Sequence, residues 1–330
     1  MKAIVYQKYG SANVLKLEEV EKPSPKDQEV LVKVHAASVN AADWHLLRGE
    51  PFLVRLESGL QKPKNTILGA DVSGWVEVVG KNVRQFKIGD EVFGDLSGCG
   101  WGGFAEYVSV PENALALKPA NLSFEEAAAV PMAAVTALQG IRDHGQIKPR
   151  QKVLIVGASG GVGTFAVQIA KSFETEVTAV CSTSKMDMVY WIGADHVIDY
   201  TKEDFIQTGK RYDLIIGANG NYSLSDYKRV LTPNGTYVCT GGSMAQIFES
   251  LLLGPLHSMK GSKKLKNMGS AKPSQKNLVV MKELLEASKV IPVIDRCYPL
   301  SEVPIALRYL EAGHAQGKVV VTFENNHKAQ

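Results

Sequence analysis

KVLIVGASGGVGTFAVQIA, residues 152–170, decides the reading of this chain. KVLIVG, residues 152–157, reads as a strand, with Val153 to Val156 a continuous apolar run of the kind buried on both faces of a sheet. Gly157, Gly160, Gly161 and Gly163 follow at once, and VGTFAVQIAKSF then carries helical spacing. A strand, a glycine turn and a helix in that order form the context in which a glycine pattern has meaning. Small residues let the backbone approach a pyrophosphate, and the helix N-terminus offers it unpaired N–H groups and a partial positive charge. The frame G-x-G-x-x-G fits only with Ala158 at its first glycine, then Gly160 and Gly163. Ala158, Ser159, Gly160, Gly161, Val162 and Gly163 are therefore expected at the phosphates of a dinucleotide. The plain alternative is a tight strand–helix turn without a ligand.

Downstream, strands and helices alternate: EVTAVC, KMDMVYWIGA, HVIDY, YDLIIGA and GTYVCTGG. That alternation predicts a parallel sheet covered by helices on both faces, a doubly wound Rossmann arrangement. The second strand ends in Cys181-Ser182-Thr183-Ser184-Lys185, where a site for the unphosphorylated dinucleotide carries an acid for the ribose hydroxyls. Hydroxyls and a lysine suit a 2′-phosphate, so NADPH is the expected cofactor, with Ser182, Lys185 and Tyr200 around the phosphate and Asn219 and Gly241 further along. Ser182 and Thr183 as caps of the next helix are the competing reading.

Upstream, EVLVKVHAASV and SGWVEVVG alternate in polarity, and DEVFG and FAEYVSV follow between Gly, Pro and Asp turns, as in a β-rich domain. Near Leu122 the composition turns Ala-rich. Ser123 and Glu126 make a capping box for a helix through SFEEAAAVPMAAVTALQGI. The expected division is an α/β chain with a β-rich domain from 1–122 and 273–330 and an inserted nucleotide-binding domain from 123–272.

The 330 residues are 45% hydrophobic and 22% charged, enough for two domains. A net charge of +3 is too slight for a nucleic-acid surface. No apolar run is long enough to cross a membrane, MKAIVYQKYG lacks a signal-peptide core, and the four cysteines (Cys99, Cys181, Cys239, Cys297) are far apart. A reducing, cytoplasmic setting is expected.

SVNAADWH (38–45) gathers Asn40, Asp43 and His45 and reads as a polar loop. Together with LVKVHAASVNAAD, ILGADVSGWVEVVG, FKIGDEVFG, GGFAEYVSVP, VLIVGASGGVG and GKVVV, it gives the chain a resemblance to the medium-chain dehydrogenase/reductase superfamily over nearly its whole length. ASGGVG and SVN resemble its zinc-independent quinone oxidoreductase branch. The resemblance implies a GroES-like catalytic domain beside the Rossmann domain. It places Asn40 where zinc enzymes have a Cys ligand, and Gly69-Ala70-Asp71 where they have Gly-His-Glu. The structural-zinc lobe shrinks to GDLSGCGWGGF with Cys99 alone, so no metal is expected.

By the same resemblance, Asn40 and Thr136 stand near the nicotinamide. His45 replaces a Tyr of several relatives and is a candidate proton donor, and Lys318 of GKVVV joins the cofactor contacts. Asp43 is expected to hold local geometry. The alternatives are that His45 packs and Asn40 caps.

The implied reaction is hydride transfer from NADPH to a quinone or an α,β-unsaturated carbonyl. An enoyl-thioester reductase and a non-catalytic NADPH-binding protein are the other two readings. A homodimer is expected through the sheet edge near KKLKNMG (263–269). The lysine-rich run 250–282 is expected to be solvated, and Arg55 in EPFLVRLESGLQKPKNT (50–66) either faces an anion or lies at the surface.

Overall fold

The computed structural model describes residues 1–259 and 262–323. Lys260 and Gly261, part of the lysine-rich run, lie outside the described residues. Packing divides the chain into two compact units: 1–132 with 273–286 and 294–330, and 133–272 with 287–293.

Unit 1 begins with a two-stranded ribbon, β1 (Lys2–Val5) against β2 (Lys16–Glu19). Then come β3 (Glu29–Val39), α1 (Ala41–Arg48), α2 (Val54–Ser58), β4 (Asp71–Val79), β5 (Glu91–Asp95), β6 (Tyr107–Pro111), β7 (Leu115–Leu117) and α3 (Phe124–Ala128). In β3 the alternation of EVLVKV sends Val30, Val32 and Val34 into one core with Val72, Val76, Val92 and Phe104. Val319 and Val321, from the far end of the chain, join the same core.

The Ala-rich run 123–141 predicts one helix, and the structure breaks it. Ser123 and Glu126 do form the capping box, each bonding the other's backbone N–H. Pro131 then ends α3 and starts α4 (Pro131–Leu138), because a proline ring cannot continue the ladder behind it. The helix α3 also packs on β3 and β4, which moves the first seam to residue 132 from the expected 122.

Unit 2 runs β8 (Lys152–Val156), α5 (Gly161–Ser172), β9 (Glu176–Cys181), α6 (Met186–Trp191), β10 (His196–Asp199), β11 (Tyr212–Gly217), α7 (Leu224–Val230), β12 (Leu231–Cys239), α8 (Met244–Met259) and β13 (Lys264–Asn267). Its six strands form one parallel sheet in the order β10-β9-β8-β11-β12-β13. This is the doubly wound fold that the alternation predicts. Leu154, Val156, Ile215, Tyr227 and Tyr237 fill one side of it.

The chain returns to unit 1 through α9 (Gln275–Glu286), β14 (Ile294–Pro299), α10 (Val303–Glu311) and β15 (Lys318–Thr322). The last strand pairs antiparallel with the end of β3, setting Val319 opposite Val39. The seven-stranded sheet of unit 1 runs β14-β15-β3-β4-β5-β7, with β6 also on β3. No described helix is long and apolar enough to cross a membrane.

Candidate active site

In unit 2 the carboxyl ends of four parallel strands bring the expected cofactor residues to one edge of the sheet. Gly157 follows β8, Ser182 follows β9, Asn219 lies just past β11 and Gly241 just past β12. With β8 flanked by β9 on one side and β11 on the other, the chain reverses its winding there, and such a reversal opens a crevice for ligands.

The turn is held by glycine chemistry. Gly157 has φ +81°, and a Cβ on it would lie 2.6 Å from the Asn219 carbonyl oxygen. A Cβ on Gly163 would lie 2.1 Å from the Gly157 oxygen, so α5 rests directly on the turn. At Gly160, the N-cap of α5, the nearest atom would be 3.8 Å away, which leaves that side open. Ala158 and Ser159 are buried beneath the turn. The first N–H groups of α5, at Gly161, Val162 and Gly163, have no carbonyl one turn back to receive them.

The left-handed position therefore belongs to Gly157, one residue before the Ala158 of the aligned frame. The signal was present in the sequence as a glycine directly after the strand. Tyr200 donates its backbone N–H to the Cys181 oxygen at 3.1 Å, which sets its exposed ring next to the Ser182 turn. Lys185 ends the short turn Thr183–Lys185. Thr136 is buried on α4 of this unit.

In unit 1, SVNAADWH is not a loop. Residues 41–48 are the helix α1, capped by Asn40, whose backbone N–H is bound by the Asp43 carboxylate at 2.7 Å. An Asn with an acid three residues on is a variant of the capping box, a signal the sequence carried. The other Asp43 oxygen accepts from the Gly69 N–H at 3.0 Å, so the expected geometric role of this residue is the one seen.

Asn40 itself is locked. Its amide donates to Asp71 Oδ2 at 2.9 Å and to the Ser38 carbonyl at 3.4 Å, and its oxygen accepts from Lys318 Nζ at 2.5 Å. Asp71 is fully buried and also receives Ser38 Oγ at 2.7 Å and the Met132 N–H at 2.8 Å. Lys318, expected among the cofactor contacts, has all three of its donors directed at Asn40, Asp71 and the Val39 carbonyl. Ser38 and Asp71 were not among the expected site residues, because only strand pairing brings them together.

His45 turns away from this centre. Its Nδ1 lies 2.9 Å from the Glu50 carbonyl, which assigns the proton to that nitrogen, and its ring stacks on Trp44 at 3.6 Å. Burial pulls its pKa below the ordinary value and favours the neutral ring. Arg55 caps the end of α1, donating to the Gly49 and Arg48 carbonyls.

Three buried carboxyls, Asp43, Asp71 and Asp95, thus share one buried ammonium. Burial raises Asp43 from 3.8 to about 7. Burial, with the Asp71 charge across the strand pair, raises Asp95 to about 6. Each raised carboxyl binds a proton in the folded state that the unfolded chain has already released above about pH 4. Stability should therefore fall as pH rises from about 4 to about 7 and level off above that. Neutral His45 pulls the other way for one proton just below its ordinary value, and two carboxyls outweigh it. The melting temperature should be several degrees higher near about pH 5 than near about pH 8, and Asp43→Asn should flatten that slope. Equal melting temperatures in the parent at the two pH values would refute the account.

Residues 26–120 match the alcohol dehydrogenase GroES-like domain family, and residues 192–321 the zinc-binding dehydrogenase family. A quinone-oxidoreductase homologue of Spinacia oleracea chloroplasts is 36% identical over 97% of this chain and 98% of its own. The chain belongs to the quinone-oxidoreductase-like branch of the medium-chain dehydrogenase/reductase superfamily. A chloroplastic NADPH-dependent alkenal/one oxidoreductase of Arabidopsis thaliana is 34% identical over 97% of this chain and 79% of its own. The solved quinone oxidoreductase of Coxiella burnetii superposes with a TM-score of 0.86 at 30% identity, covering 98% of this chain and 99% of that one.

Within this superfamily the zinc question turns on the donor set. Asn40 and Ala70, which the resemblance sets at the Cys and His positions, carry an amide and a methyl group, and neither is a zinc ligand of the usual kind. Asp71 already takes hydrogen bonds on both oxygens, and the Lys318 ammonium at 3.4 Å repels a cation. Among the described residues no group of three or more His, Cys, Asp or Glu is arranged to hold a metal ion. These residues do not fit a catalytic zinc.

Proposed function

We propose that this medium-chain dehydrogenase/reductase is an NADPH-dependent oxidoreductase that reduces quinones or α,β-unsaturated carbonyls without zinc. The observation that supports the reading is the centre of unit 1, where the Asn40 amide, the Asp71 carboxylate and the Lys318 ammonium bind one another, and no group of metal-ligating side chains is arranged to hold an ion among the described residues. With no Lewis acid, a saturated carbonyl is poorly polarised, whereas conjugation spreads the charge of a quinone or enone. The printed names of the spinach and Arabidopsis relatives support the same substrate class.

The glycine cradle suits a dinucleotide, since Gly157 and Gly163 let strand, turn and helix pack closely and a side chain at Gly160 would enter the open side. The amides opening α5 would hold the pyrophosphate, and Ser182, Lys185 and Tyr200 the 2′-phosphate, with Asn219 and Gly241 lining the same strand ends. The nicotinamide, when bound, supplies the hydride. Asn40 gives both amide hydrogens inward, so it serves as a rigid polar support with Lys318 behind it. The Thr136 hydroxyl is the donor proposed for the acceptor's oxygen. Water supplies the proton, since the His45 ring is held neutral and turned to the Glu50 carbonyl.

The test is oxidation of NADPH and NADH against quinones, enones, enoyl thioesters and saturated ketones. Quinones or enones should turn over and saturated ketones should not. NADPH should bind at least about tenfold tighter than NADH, the scale of one lost charge-assisted contact. Faster turnover of saturated ketones, zinc-restored activity after chelation, or equal affinity for the two cofactors would each overturn its part of the reading. Preference for enoyl thioesters over free enones would favour the acyl-thioester alternative.

We also propose a homodimer. Among the described residues β13 pairs only with β12, so it ends the sheet with an open edge. Light scattering at micromolar protein should return twice the chain mass, and a monomeric mass would contradict it.

A further inference from the structure

The β9 end lacks an acid in sequence, yet β10 delivers one to the same place. Asp199 is the register partner of Cys181 and is buried. Its carboxylate accepts the Thr183 hydroxyl, the Thr201 N–H at 3.0 Å and the Thr201 hydroxyl at 2.7 Å. Lys202 Nζ stands 3.4 Å from it. The two threonine hydroxyls are themselves 3.2 Å apart. One carboxylate therefore ties the turn after β9, which holds Ser182 and Lys185, to the turn after β10, which holds Tyr200.

We propose that Asp199 is a specificity-positioning residue: through Thr183 and Thr201 it fixes the two turns in the spacing that accepts a 2′-phosphate, and its own charge is spent inside the protein. The proposal rests on the NADPH reading. In a site for the unphosphorylated cofactor, an acid at this sheet edge accepts ribose hydroxyls. Here the acid's oxygens are occupied by threonines, and Lys202 offsets the charge that would repel a phosphate. The hydrogen bond from Thr183, first among its partners, holds the Asp199 carboxyl well below the usual carboxylate range, as expected of an ionised anchor. Thr183 itself is exposed, so removing its hydroxyl alters the tether without opening the core.

The experiment measures binding of 2′,5′-ADP and 5′-AMP, by titration calorimetry, to the parent, Thr183→Val and Asp199→Asn. These ligands differ only in the 2′-phosphate, and no turnover is needed. The parent should prefer 2′,5′-ADP. Thr183→Val should reduce that preference about fivefold, the scale of one lost hydrogen bond, and Asp199→Asn by at least as much. Affinity for 5′-AMP should stay within about twofold in both. A preference unchanged in Thr183→Val, or a loss shared equally by both ligands, would show that the tether is merely structural. A preference that rises in Asp199→Asn would show that the carboxylate repels the phosphate, again against the proposal. Equal affinities in the parent would overturn the NADPH reading and this inference with it, whereas parental preference with unchanged variants overturns only the inference.

Discussion

Lys318→Met is expected to cost about 3–5 kcal/mol of stability, the penalty for removing one partner of a buried ion pair. The side chain is 3% exposed and Asp71 is 0% exposed, so water cannot replace the ammonium. Asp71 would keep Ser38, Asn40 and Met132 as donors but would lose its only cation among the described residues, with Asp43 and Asp95 still nearby. Asn40 would lose the donor to its amide oxygen and be free to rotate. Lys318→Met combined with Asp71→Asn should recover part of the loss, because the stranded charge is then gone. Urea unfolding of the two variants measures this. A loss below about 1 kcal/mol in the single variant would mean that Asp71 is neutralised or solvated once Lys318 is absent.

Gly163→Ala is expected to weaken both the fold and cofactor binding. The added methyl group would sit 2.1 Å from a backbone oxygen of Gly157 and 2.7 Å from the Ala158 Cα, and backbone cannot swing aside as a side chain can. Overpacking of this kind costs about 1–3 kcal/mol or more. It also lifts the first turn of α5 from the place where its amides would meet a pyrophosphate, so NADPH affinity should fall by about 100-fold. Gly160→Ala separates the two effects, since a Cβ there meets nothing closer than 3.8 Å. That variant should keep the parental melting temperature and lose only affinity, its methyl group entering the open side of the cradle. If Gly163→Ala leaves both stability and affinity at parental values, α5 does not rest on the turn as described.

These two variants mark different depths of legibility. The cradle is local: strand, glycines and helix lie within one stretch of chain, and the absence of an acid before Lys185 is visible in one line of letters. That Asn40 and Ala70 carry no thiol or imidazole is equally local. The helical state of SVNAADWH was legible too, in the Asn40–Asp43 spacing, but the polarity of the run masked it. The break at Pro131 needed only the rule that proline ends a helix.

The sequence by itself determined the alternating elements and the glycine turn after β8, because periodicity and backbone conformation act over a few positions. Only the tertiary structure decided what Asn40 and Asp199 do. Lys318 stands 278 residues from Asn40 and 247 from Asp71, and they meet because β15 pairs with β3 and β3 with β4. Asp199 reaches Thr183 because β10 lies in register with β9. A buried charge must find its partner wherever the chain brings one, and strand register, which no short pattern encodes, makes that choice.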